Sequence, residues 1–99
     1  MTTTAIARKV ALATQDAYSY DRYGSNAWLA TAKWMAKQGL NEQEIEAMLR
    51  SKHTRWAMDA AGDKGKSKAF ENYAASATNC GWFNLKVEAK EMARQTFGE

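Results

Sequence analysis

Gly39-Leu40-Asn41-Glu42-Gln43-Glu44-Ile45-Glu46-Ala47-Met48-Leu49-Arg50-Ser51-Lys52-His53-Thr54-Arg55-Trp56-Ala57 is the stretch on which the fold turns. Asn41 and Glu44 have the spacing of a capping box, in which the Asn side chain accepts the N–H of the residue three on and that residue's carboxylate reaches back to the cap. Glu42, Glu44 and Glu46 put negative charge at the positive end of the helix dipole. A helix therefore starts at Asn41, and Gly39 closes the one before it. Ile45, Leu49, Trp56 and Ala60 fall on one stripe with Lys52 and His53 at its margin, which predicts an unbroken helix to about Ala61, stopped by Gly62, with Trp56 buried.

The same residues resemble a helix-turn-helix in outline. Ile45 and Leu49 would be the apolar residues of its first helix and Trp56 that of its second, with Arg50-Ser51-Lys52 as the turn and Thr54 and Arg55 facing a groove. Three positions depart from that motif: Glu46 stands where a small residue is usual, Arg50 replaces the turn glycine, and Ser51 occupies an apolar position. The continuous helix is the preferred reading.

Outward from this stretch the chain reads as helix throughout. It has no proline, where about five would be expected for 99 residues. Helix formers dominate, and β-branched residues never alternate over a strand's length. The expectation is an all-α bundle of about five short helices in a single domain, 1–99. The first runs from about Thr4 to Ala17 with Ile6, Val10, Ala13 and Ala17 on one face, and the second from Ser25 or Asn26 to Gly39. The third follows Asn41. A polar stretch from Asp63 to Lys66 precedes a fourth, capped by Ser67 and ending near Ala77, and Asn84 caps a fifth that ends before Gly98. Met1 to Gln15 carries Arg8 and Lys9 without an acid, as transit peptides do, but is read as the ordinary first helix.

The counts exclude several classes. One cysteine, Cys80, and one histidine, His53, supply neither a disulfide nor the ligands of a structural zinc. No apolar run reaches the roughly 20 residues a membrane span needs, and the expected location is cytoplasmic. Gly65-Lys66-Ser67 mimics the end of a phosphate-binding loop, but the glycine required five residues earlier is Ala60. His53 has only Glu46 or Asp59 near it in sequence, at poor helical geometry for a general base. No catalytic residue, metal or cofactor is expected.

Charge and aromatics carry the functional signal. The net charge is +3, and residues 50–68 hold six bases against two acids. Arg50, Lys52, Arg55, Lys64, Lys66 and Lys68, with His53 among them, should share one exposed surface able to meet phosphates or an acidic protein. On the second helix Trp28, Leu29, Ala32, Met35 and Ala36 make an apolar face, which leaves Trp34 on the other side beside Lys33 and Lys37 as an expected contact residue. Tyr18, Tyr20 and Tyr23 flank Arg22, a pairing suited to protein hot spots and to base stacking.

Leu49-Arg50-Ser51-Lys52-His53-Thr54-Arg55-Trp56-Ala57 resembles a segment of small uncharacterised helical proteins encoded by phages and mobile elements. That resemblance implies an accessory role, such as binding host machinery or DNA, and carries no catalytic residue. The expected function is a non-enzymatic binding module that modulates or inhibits a host protein or protein–nucleic acid complex. Direct DNA or RNA binding through residues 50–68 is the alternative. The candidate contact residues are Trp34, Arg50, Lys52, Arg55, Lys64, Lys66, Lys68, Tyr20, Arg22 and Tyr23.

Overall fold

Capping chemistry sets where the helices begin and end. In a computed structural model that describes residues 2–17, 25–65 and 69–98, with side chains described for 2–17, 27–59 and 70–98, the Thr2 hydroxyl accepts the Ala5 N–H and opens α1, Thr3–Ala13. Thr14 ends it, earlier than the sequence suggests: its hydroxyl donates to the Val10 carbonyl at 2.9 Å and accepts the Trp28 indole N–H at 2.9 Å. These bonds satisfy a fully buried threonine and tie α1 to α2, Ser25–Lys37.

Gly39 closes α2 in a left-handed conformation, φ +94°. Its N–H goes to Ala36 O and the Leu40 N–H to Met35 O, the double bond of a Schellman motif with buried Leu40 just beyond it. The Asn41–Glu44 capping box then forms in both directions, at 2.8 and 2.9 Å, and starts α3, Glu42–Leu49.

Here the structure departs from the continuous helix. α3 stops at Leu49, and α4, Lys52–Gly65, begins after the two residues Arg50 and Ser51. The Met48 carbonyl explains the break, because it receives the Ser51 N–H at 3.0 Å, the Ser51 hydroxyl at 2.6 Å and the Thr54 hydroxyl at 2.5 Å. Two hydroxyls thus compete with the next turn's amides for that acceptor, as Ser and Thr side chains do where helices end. Downstream, α4 continues through Gly62 and into the expected polar loop as far as Gly65. α5, Ala69–Asn79, ends in a second Schellman motif at Gly81, φ +78°, where the Gly81 and Trp82 N–H groups reach Thr78 O and Ala77 O. Asn84 caps α6, Leu85–Phe97, through Val87 N at 3.2 Å. The expected Ser67 cap lies outside the described residues.

The fold is all-α, with six helices and no strand among the described residues; the count exceeds five because the middle helix is divided. α1 packs on α2 and α3, α6 lies along α3, and α5 joins α4 and touches α2. The Cα radius of gyration, 12.3 Å, is close to the ~13 Å of a compact fold of this length. Both helices bury small residues, Ala7 and Ala11 on α1 and Ala27, Ala32 and Ala36 on α2. Met35, Ile45, Met48, Met58 and Phe70 fill the centre.

Candidate aromatic and cationic binding face

Restarting the helix at Lys52 resets its phase, and this decides which side chains reach solvent. Thr54, Ala57 and Met58 turn inward on α4, with exposures of 2% or less. Lys52, Arg55, Trp56 and Asp59 consequently share the outer face at helical spacing. Trp56 was expected to be buried with Ile45 and Leu49; it is instead 56% exposed, because a stripe projected at 100° per residue does not survive two non-helical residues. The helix-turn-helix outline is met in chain path and not in faces: the Thr54 assigned to the groove is buried, and the Trp56 assigned to the core is outside.

Trp34 is corrected in the opposite direction. It is half-buried and packs against the core, edge-on to Phe70 of α5 with ring centroids 5.6 Å apart. The apolar face of α2 is where the sequence puts it, but α5 covers part of the other side. Arg50, expected among the free cations, is spoken for: its guanidinium donates to Asp16 at 2.6 Å, to Glu46 at 3.1 Å and to the Ala13 carbonyl at 3.1 Å. Those bonds pull the Asp16 carboxyl below its ordinary value and push Arg50 up, the mutual hydrogen bond being the largest cause of both.

Lys52 and Arg55 are exposed and make no ion pair among the described residues. Lys64 lies on α4 with its side chain outside the described residues. Lys66, Lys68, Tyr20, Arg22 and Tyr23 lie wholly outside them. Of the ten candidate contact residues, the structure therefore brings Lys52 and Arg55 together on one face and adds Trp56, which was not among them.

A chain of rings supports Trp56 from below. His53 lies 5.8 Å from Trp56, 5.4 Å from Phe83 and 6.3 Å from Tyr73, centroid to centroid, and its Nδ1 is 3.2 Å from the Tyr73 hydroxyl. Phe83 and Tyr73 in turn contact Phe70, the ring under Trp34. The aromatic core thus runs from α2 through α5 to the surface at Trp56, and His53 links its inner and outer parts.

No family model, curated protein or solved structure matches the chain.

Beside Trp56 an open groove of about 370 Å³ separates the α3–α4 turn from the end of α6. Ala47, Met92 and Trp56 give it apolar wall; Arg50, Ser51, Lys52 and His53 line one rim, and Gln95 and Thr96 the other. None of these lining residues is acidic. The α6 contribution was not foreseen, because Met92, Gln95 and Thr96 carry no motif and reach the groove only through the packing of α6 along α3. Trp82, 79% exposed just beyond Gly81, is a second bare aromatic. Among the described residues no three His, Cys, Asp or Glu side chains converge as a metal site, and no helix is long and apolar enough to cross a membrane.

Proposed function

We propose that this chain is a non-enzymatic binding module, an accessory protein of the kind encoded by phages and mobile elements, which docks on a host protein or protein–nucleic acid complex and modulates it. The observation that supports this reading is Trp56, 56% exposed on α4 between Lys52 and Arg55. An exposed tryptophan resting on a ring cluster is a rigid anchor, and Trp and Arg are the residues most enriched at the energetic centres of protein interfaces. Lys52 and Arg55 beside it, without an ion pair among the described residues, favour an acidic partner surface and speed encounter with it.

Direct nucleic-acid binding is the second reading, and one observation favours it. The first turn of α4 carries Lys52 and Arg55 and no acid, so two positive side chains gather at the positive end of a helix dipole in a helix–turn–helix chain path. It has less support, because Arg50 is engaged by carboxylates and Thr54 is turned inward.

The test is to isolate the partner with the wild-type chain and titrate it against Trp56→Ala and Arg55→Glu at two salt concentrations. Trp56→Ala is expected to weaken binding by about 30-fold or more, the loss typical of an interface centre, with a modest salt effect. Equal binding by both variants removes this face from the interface. A log-linear collapse of binding with salt, together with retention of duplex or single-stranded oligonucleotide, selects the second reading.

A further inference from the structure

Building on the reading of the α4 face as a protein-binding surface, we propose that the groove between the start of α4 and the last turns of α6 seats an acidic amphipathic segment of the partner. An apolar side chain enters against Ala47 and Met92 beside Trp56, and a carboxylate meets Lys52.

Charge complementarity carries the proposal. Among the described residues Lys52 has no ion pair and no acidic side chain lines the groove. Arg50 is a weaker second anion site, because three of its five N–H donors go to Asp16, Glu46 and the Ala13 carbonyl and the two carboxylates offset its charge. The groove therefore offers one free cation beside apolar wall, which fits a carboxylate next to an aliphatic or aromatic side chain better than a run of phosphates. Its opposite rim is uncharged: Gln95 donates its amide to Glu91 at 3.1 Å and keeps its carbonyl as an acceptor, and Thr96 is exposed. Those groups suit the backbone of an incoming segment. At about 370 Å³ the space is at the small end of ligand clefts and takes one large side chain or two small ones rather than a whole folded element.

The experiment is a nuclear magnetic resonance titration of the full, isotope-labelled chain with three probes. These are an acidic peptide of Glu, Leu and Phe, the same peptide with Gln for every Glu, and oligothymidylate. The acidic peptide should shift the Trp56 indole, Lys52 and Thr96 signals together, and the Gln peptide should bind about 10-fold more weakly. Thr96→Trp fills the groove from an exposed position on α6 while leaving every α4 side chain in place, and should weaken the acidic peptide about 30-fold, as should Trp56→Ala. Signal dispersion in each variant verifies folding. Binding that is lost in Trp56→Ala but unchanged in Thr96→Trp overturns the groove and leaves the α4 face standing. No shift with any peptide, or binding insensitive to both variants, overturns groove and face together. Saturable binding of oligothymidylate alone overturns the protein partner in favour of nucleic acid.

Discussion

α2 and α4 each carry a tryptophan, and the amphipathic pattern reads both the wrong way round. On α2 the apolar face is placed correctly, yet Trp34, outside it, is packed against Phe70. On α4 Trp56 belongs to the apparent stripe and stands in solvent. The two errors have different causes. α2 contacts α1, α3 and α5, so it is enclosed on more than one side, and a residue off its main stripe still finds a neighbour. α4 is misread because its phase is counted across a break. A helical stripe is evidence about burial only within one uninterrupted helix, and a side chain off the stripe is bare only if no further helix arrives.

The most severe way to break the comparison is to remove the ring that covers Trp34. Phe70 is fully buried and touches Trp34, Tyr73 and Phe83, so Phe70→Ala should cost about 3–5 kcal/mol in denaturant melts. That is a large share of the 5–15 kcal/mol typical of a domain. A loss under about 1 kcal/mol would mean that the aromatic chain from α2 to α4 is not continuous in solution.

The tryptophans themselves give the next largest effect. Trp34→Ala removes a half-buried ring and should cost about 2 kcal/mol, below the full core value. Trp56→Ala should stay near the ~0.5 kcal/mol of a surface change, since most of its ring meets water. Thermal melts of the pair sharpen the contrast, and equal losses would erase it.

The break that exposes Trp56 can be probed through Thr54. Its hydroxyl is buried and donates to Met48 O at 2.5 Å, so Thr54→Val keeps the shape and removes one hydrogen bond. The expected cost is about 1 kcal/mol. If α3 and α4 then fuse into a longer helix, the Lys52 and His53 amides will donate to Met48 O and Leu49 O and their exchange will slow; the remaining Ser51 bonds to Met48 O predict that it stays fast.

Local chemistry was legible wherever it is completed within a few residues. The Asn41–Glu44 capping box, the Gly39 stop and the Asn84 cap were all readable, because each needs only neighbours in sequence. Helix class followed from composition and the absence of proline. The Arg50–Ser51 break was harder, since Ser51 and Thr54 are as compatible with a helix surface as with a turn, and only their joint claim on one carbonyl decides it. The candidate face was readable in part: Lys52 and Arg55 followed from charge clustering, whereas the capture of Arg50 by Asp16, 34 positions away, left no local trace. The α6 side of the groove was out of reach for the same reason. With the break known, Lys52, Arg55, Trp56 and Asp59 at helical spacing would have named the face.

The smallest effect concerns the ion pair that holds the α3–α4 turn against the end of α1. Asp16 accepts from Arg50 at 2.6 Å, and Arg50 also donates to Ala13 O, a carbonyl freed where α1 ends. Asp16 remains 70% exposed, so solvent and salt screen the pair and its contribution is slight. Its carboxyl is held below the ordinary value chiefly by the hydrogen bond from Arg50. A carboxyl whose folded value is depressed stabilises the fold above its unfolded value near 3.9 and loses that contribution as pH falls through the depressed value. Asp16→Asn should therefore melt slightly earlier than wild type at neutral pH and low salt. The gap should close at high salt, and again as pH falls below the depressed value, where the wild-type carboxyl is protonated as well. Should the gap persist in acid, the pair acts through neutral hydrogen bonding alone. Loss of the turn's position in Asp16→Asn, seen as altered shifts at Ser51 and Trp56, would make this contact the one that sets the phase of α4 and, through it, the exposure of Trp56.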